Sequence, residues 1–310
     1  MDNRVIAWLL QGDVAIQFQV YRDLLGEERP DLQARIAEEG WGARFLSKRL
    51  PSAHWGRDFY QPKWTSTHYT LLDLKHLQPA PDQRLIRESV ETIALGYKSG
   101  DGGINPAKTI KESDVCVNGM FLNYACYFGL EQVHLHSIVD FILGQRMPDG
   151  GFNCQKNRSG AQHSSMHSTI SLLEGLLEYE RNGYAYRLAE VRAAAQAARE
   201  FLLVHQLYRS DHTGAVIHQG FLRLSFPSRW YYNILRALDY FQYAGAAWDE
   251  RLQSALEELM RKRKKDGRWP LQARLPGQIH FEMERAGQPS RWNTLLALRV
   301  LRRYDGFSSS

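Results

Sequence analysis

Four residues in one short segment carry the side chains most able to do chemistry. In NPAKTIKESDVCVN (105–118), Lys108, Lys111 and Asp114 recur at three-residue steps, and Cys116 follows two beyond the carboxylate. A second cluster, AQHSSMHS (161–168), places His163 and His167 four apart, the spacing that puts two side chains on one helix face. Carboxylate, thiolate and imidazole with an open fourth position is the ligand chemistry of a catalytic zinc site. The expected ligands are Asp114, Cys116 and His167, with His163 a further candidate. Asp114 and Cys116 can share an ion only if the first helical turn is still loop-like, because residues two apart on a helix point away from each other. Lys108 and Lys111 would suit a diphosphate. Simpler readings stand beside these: a lone Cys is usually a small buried hydrophobe, and an Asp after Ser can merely start a helix.

What must position these residues is a repeat. Gly100-Asp101-Gly102-Gly103-Ile104 recurs as Pro148-Asp149-Gly150-Gly151-Phe152, and again as Lys265-Asp266-Gly267-Arg268-Trp269. Ser228-Arg229-Trp230 recurs as Ser290-Arg291-Trp292, and Lys63-Trp64-Thr65 opens a similar run. Between the turns, apolar residues follow helical spacing, as in Leu71, Leu72, Leu74 and Leu77. Runs rich in aromatic and small residues begin near 13, 63, 113, 163, 228 and 290. More charged, amphipathic runs begin near 31, 82, 131, 186 and 248. One helix pair cannot bury both faces alone, so stacked pairs must close on each other. The expectation is an all-α protein: a single α/α toroid over residues 1–305, with about six inner and six outer helices, and a disordered tail at 306–310. Short extended pieces at 214–226 would be hairpin-like insertions.

The inner runs carry Trp64, His68, Tyr69, Phe121, Tyr124, Trp230, Tyr231 and Trp292. Most such aromatics pack cores. In a toroid they would also line the cavity and bind an apolar ligand, where their faces favour carbocation character.

Composition excludes several classes. The net charge of +5 is mild, and the run Arg261-Lys262-Arg263-Lys264-Lys265 reads as a solvated helix end rather than a nucleic-acid patch. The slight positive excess suits an anionic small substrate or peripheral contact with a membrane surface. Three cysteines with no paired spacing argue against a disulfide framework. The first residues are too polar for a signal peptide, and no apolar run approaches the ~18 residues of a spanning helix. A soluble, cytoplasmic protein is expected.

The segment around Lys108–Cys116 resembles the β subunits of protein prenyltransferases. That family carries two basic residues and Asp-x-Cys at the spacing of Lys108, Lys111, Asp114 and Cys116, soon after a Gly-Gly turn. The resemblance implies that the lysines hold a prenyl diphosphate, and that Asp114, Cys116 and His167 bind zinc. Phe141-Ile142-Leu143-Gly144-Gln145 before Gly150-Gly151-Phe152 also resembles the repeats of squalene and oxidosqualene cyclases. Val117 and Met166 stand where the transferase family has aromatics, and the partner subunit those enzymes require is not in this chain. The expected activity is therefore a zinc-dependent prenyltransferase acting on an isoprenoid, with Asp114, Lys108 and Lys111 as catalytic groups. Two alternatives remain open. Ser113-Asp114-Val115-Cys116 resembles the acid motif of oxidosqualene cyclases, which would make Asp114 the general acid of a class II terpene cyclase. A toroid can also keep its cavity, lose its chemistry and bind a lipid or a partner protein.

Overall fold

The computed structural model describes residues 2–107 and 109–304, so Lys108 and the tail 306–310 lie outside the described residues. Fourteen α-helices are formed among the described residues: α1 Asn3–Leu10, α2 Val14–Val20, α3 Pro30–Arg35, α4 Gly40–Leu46, α5 Thr67–Leu77, α6 Arg84–Gly96, α7 Val115–Tyr127, α8 Gln132–Gly144, α9 Lys156–Ser159, α10 Met166–Arg181, α11 Leu188–Val204, α12 Ile234–Tyr243, α13 Gln253–Arg261 and α14 Arg291–Tyr304. Among the described residues the sheet content is one two-residue antiparallel ladder, β1 (Trp269–Pro270) with β2 (Pro289–Ser290), pairing Trp269 with Ser290. The chain is thus predominantly α-helical, and helices start close to the positions where the apolar periodicity places them. The segment 214–226 does not pair with itself: it holds a 3-10 turn over Gln219–Leu222 and bridges outward, Val216 to Arg209 and Ser225 to Ala273. The basic run 261–265 is the solvated end of α13 and the turn after it.

The chain folds into two compact units. The first comprises residues up to 47, 77–80 and those from 203 onward; in it α14 packs against α12 and α2. The second comprises 48–76 and 81–202, and α7 packs there against α10 and α8. Helix α7 is buried on every side, from Val117 through Cys126 without a break, as an evenly apolar helix must be. Helix α6 instead buries the stripe Ile86, Ser89, Val90, Ile93 and Ala94. Helices α7 and α10 meet backbone to backbone. A Cβ on Gly175 would lie 2.3 Å from the Gly119 carbonyl oxygen, and one on Gly119 would lie 2.8 Å from that of Ser171.

The repeated turn is built identically in both units. Backbone bonds close residues 99–103, 147–151 and 264–268, with Gly102, Gly150 and Gly267 at φ of 89°, 92° and 82°. A fourth copy lies at 50–54, where Leu50 N–H donates to the His54 carbonyl at 2.8 Å and Ala53 takes the left-handed position at φ 64°. Each turn is followed by one buried residue whose backbone is clamped by a side chain in the first turn of the next helix or at its start. Thr67 Oγ1 bonds Trp55 N and O at 3.0 and 3.2 Å. Asn118 bonds Ile104 N and O at 2.7 and 3.0 Å. Thr169 bonds Phe152 at 3.1 and 3.3 Å, and Thr294 bonds Trp269 at 3.0 and 3.5 Å. The turn carboxylates reinforce this in the second unit: Asp101 and Asp149 each accept from the backbone N–H and the hydroxyl of Ser113 and Ser164.

Thr169→Val keeps the shape of the clamp and removes its hydroxyl. The Phe152 carbonyl keeps the Ser165 N–H at 2.8 Å, but the buried Phe152 N–H loses its acceptor. The expected cost is about 1–3 kcal/mol, the desolvation penalty of an unsatisfied buried donor. Urea unfolding of the variant beside wild type measures it; a loss below about 0.5 kcal/mol would remove the clamp from the energetic account.

Candidate functional site

Asp114 occupies the N-cap position of α7 in extended conformation (φ −79°, ψ 121°), yet its carboxylate caps no backbone N–H. It reaches instead to Arg158 of α9, with Nη2–Oδ2 at 2.7 Å. Burial raises the Asp114 carboxyl above the usual carboxylate range, against the opposing pull of the Arg158 and Lys63 charges. Asp114 therefore lies outside the helix, while Cys116 is on its first turn.

Cys116 sits half-buried in the first turn of α7, and its thiol is hydrogen-bonded to that of Cys154. Cys154 lies in the loop after the Asp149-Gly150-Gly151 turn. Its backbone N–H donates to Ser168 Oγ at 3.1 Å, and its sulfur also bonds the Ser168 hydroxyl. The Cys116 thiol donates to the Cys154 sulfur, which lowers the Cys154 pKa below its ordinary value despite burial and raises that of Cys116. Cys154 is thus the more acidic thiol of the pair, and neither sulfur is in a disulfide.

An aromatic cluster around Tyr60 lies in the same unit. Burial raises the Tyr60 hydroxyl, with the nearby acidic groups Asp114 and Cys154 adding to the effect. That hydroxyl bonds the Tyr69 hydroxyl at 2.9 Å. From there the rings continue: Trp64 to Tyr69 at 4.8 Å, Tyr60 to His68 at 5.4 Å, His68 to Tyr124 at 5.7 Å and Tyr124 to Phe121 at 5.3 Å between centroids. The five expected aromatic-site residues of this unit therefore form one packed cluster. His68 is completely buried, and burial depresses its pKa to about 3. Its Nδ1 bonds the Tyr124 hydroxyl at 3.2 Å, while Nε2 has no partner.

The other expected residues are placed as follows. Trp230 and Tyr231 belong to the first unit and stack on each other at 3.9 Å. Trp292, in the same unit, lies between Trp41 and Phe226 at 6.2 and 4.6 Å. Lys111 is exposed on the loop before α7, and Lys108 lies outside the described residues. Helix α10 begins at Met166 after an extended N-cap, Ser165, so exposed His163 does not share a helix face with His167. His167 itself is half-buried on the first turn of α10, next to Ser168.

Sequence reasoning missed Cys154, Arg158, Tyr60 and Ser168. For Cys154 a signal existed. Aligning Gly-Gly-Ile-Asn-Pro-Ala-Lys (102–108) with Gly-Gly-Phe-Asn-Cys-Gln-Lys (150–156) shows the same loop, and Asn105 and Asn153 each accept at 2.9 Å from the N–H two residues on. Cys154 stands in that loop where Pro106 stands one repeat earlier.

Among the described residues, no group of three or more His, Cys, Asp or Glu is assembled to hold a metal. Two thiols in contact are donors suited to a thiophilic ion. The Asp114 carboxylate engages Arg158 through Oδ2. No helix of the described residues is long and apolar enough to cross a membrane. Comparison with protein-family models finds no match, and comparison with curated proteins finds none.

Proposed function

We propose that the chain is a prenyltransferase-like enzyme for an isoprenoid diphosphate, its repeats closed into a single α/α toroid. The shared turn-and-clamp unit in both compact units supports the repeat architecture. The observation that carries the functional reading is Tyr60, whose ring joins the aromatic cluster and whose hydroxyl bonds that of Tyr69, in the same unit as Cys116, Asp114 and Cys154. It sets an apolar wall beside a nucleophilic, charged centre, the pairing that an isoprenoid diphosphate needs. The acceptor attacks C1 of the isoprenoid, the C–O bond to the diphosphate breaks, and Lys63, Lys111 and Arg158 offset the charge of the leaving group. The aromatic faces favour the allylic cation that develops. Bound zinc would supply acidification of the acceptor. Three free thiols suit a reducing, cytoplasmic compartment.

The cyclase alternative requires Asp114 protonated. Its burial favours that state, but the ion pair with Arg158 favours the carboxylate. Binding of farnesyl and geranylgeranyl diphosphates, followed by tryptophan fluorescence, tests the proposal. Saturable binding is expected, weakened about tenfold by Arg158→Glu, with farnesol far weaker than its diphosphate, as befits ~1.4 kcal/mol or more from charge. Absence of saturable binding by either diphosphate would sink the reading.

A further inference from the structure

A group of charged side chains in the first unit has no part in the transferase reading. Arg299, Arg302 and Arg303 stand three and four apart near the end of α14, so one face of that helix carries all three. With Asp23 of the π-helical turn Tyr21–Leu25, and with Gln242 and Tyr243 at the end of α12, they line a cavity of about 340 Å³. That volume lies within the range of small-molecule sites.

The three guanidinium groups are not used alike. Arg299, the most buried, is committed to Asp23 and Asp239 at 2.9 Å each. The other two are held by carbonyls. Arg302 Nη1 donates to the Asp23 carbonyl at 2.7 Å. Arg303 Nη2 donates to the Gly245 carbonyl at 2.6 Å and to that of Ala246 at 3.1 Å, and its Nε reaches the latter at 3.3 Å. Among the described residues neither arginine has a carboxylate within ion-pair distance. Carbonyls fix these side chains in place and leave both positive charges in excess. The Nε–Nη2 edge of Arg302, the pair of donors that grips an oxyanion as a fork, stays uncommitted. Helix capping explains where each head sits, but not why two cations without counter-charges share one cavity wall.

We infer that this cavity binds a small phosphate monoester, with Arg302 and Arg303 on the phosphate. Such a group carries close to two negative charges at neutral pH and matches the two guanidinium groups left over, whereas a carboxylate would balance one. Gln242 donates Nε2 to Asp239 at 2.9 Å, so its amide oxygen is left to accept from a ligand hydroxyl. Asp23 is neutralised by Arg22 and Arg299 and brings no uncompensated charge against the anion. The site shares no residue with α7 or α10 and does not depend on the isoprenoid reading.

The full chain, in a phosphate-free buffer near neutral pH and at ~0.15 M salt, is titrated calorimetrically with glycerol 3-phosphate, inorganic phosphate, acetate and glycerol. Saturable binding of glycerol 3-phosphate is expected, with inorganic phosphate and acetate weaker and glycerol silent. Arg302→Gln and Arg303→Gln should each weaken the ester at least ~10-fold, the loss that follows from removing a charge-assisted hydrogen bond. Lys264→Gln, in the basic run after α13, and Arg158→Glu should leave its binding unchanged. Circular dichroism confirms that each variant is folded. On the wild-type chain, glycerol 3-phosphate should also shield Arg302 and Arg303 from phenylglyoxal, read by peptide mass spectrometry. Absence of saturable binding by the ester overturns the proposal, as does equal weakening in Lys264→Gln and Arg302→Gln, which would mark diffuse attraction. Loss in Arg158→Glu with retention in Arg302→Gln would place the anion in the second unit and overturn it too. Inorganic phosphate as tight as the ester would overturn the assignment of an esterified ligand.

Discussion

Replacing Arg299 with methionine should cost about 3–5 kcal/mol, the penalty for stripping one partner from a buried ionic cluster. Arg299, in the middle of α14, is 9% exposed and forks between two carboxylates of the first unit. Its Nη1 lies 2.9 Å from Asp23 Oδ2, and its Nη2 and Nε lie 2.9 and 3.1 Å from the Asp239 oxygens. Burial pushes the Asp239 carboxyl up, against the pull of Arg299 and with the added push of Asp23. At Asp23 burial is outweighed by Arg299 and Arg22, which hold that carboxyl below its usual value. Without the guanidinium, two half-buried carboxylates are left without their shared counter-charge. Urea unfolding should show the loss, and Asp239→Asn added to Arg299→Met should recover part of it by removing one of the stranded charges. Arg299→Lys should not restore wild-type stability, because an ammonium cannot make the forked contact. A loss below about 1 kcal/mol for Arg299→Met would show that the cluster is solvated in solution.

Acid should destabilise the protein through His68. The ring is neutral in the folded state, with a pKa depressed to about 3 by burial, against 6.5 for an unperturbed histidine. Below pH 6.5 the unfolded chain takes up a proton that the folded chain refuses. The linkage therefore leaves stability intact above that pH and erodes it as pH falls through the window from 6.5 to 3. At about 1.4 kcal/mol per unit, the loss is about 3 kcal/mol by pH 4. His68→Phe fits the same ring-lined space and removes the titration, though it forfeits the bond to the Tyr124 hydroxyl. The variant should start less stable at neutral pH, and its stability should depend on pH less steeply by one proton between pH 6 and 4. Parallel slopes for the two proteins would assign the acid sensitivity elsewhere.

The helices were legible because apolar periodicity is local and strong. The buried helix α7 and the one-sided α6 differ in composition as plainly as in burial. The turn at 50–54 escaped notice because Ala53 adopts the backbone conformation that Gly102 and Gly150 advertise by residue type. The clamp was hidden differently: Thr67, Asn118 and Thr169 look like ordinary polar residues until the loop before each helix is folded back onto it. The chemistry followed the same division. Asp114 and Cys116 stood out by spacing, whereas Arg158 and Cys154 join them only through the path of the 153–165 loop. Tyr60 lies in a segment without periodicity, so only its contacts with Tyr69 and His68 reveal its place among the rings. His163 and His167 show the opposite failure. Their spacing was helical, but the helix starts too late to use it.

The clamp has a kinetic consequence as well. Its bonds join residues 12, 14, 17 and 25 apart in the chain, so each closes a short loop. Short closures cost little entropy and permit fast formation. Each turn with its helix start can assemble as a small nucleus before distant helices meet. The longest interval, between Trp269 and Thr294, shows that extra residues can be spliced inside the loop without disturbing the joint. A lineage of such chains is therefore free to lengthen its loops, and to vary what they carry, while every repeat goes on folding from the same local seed.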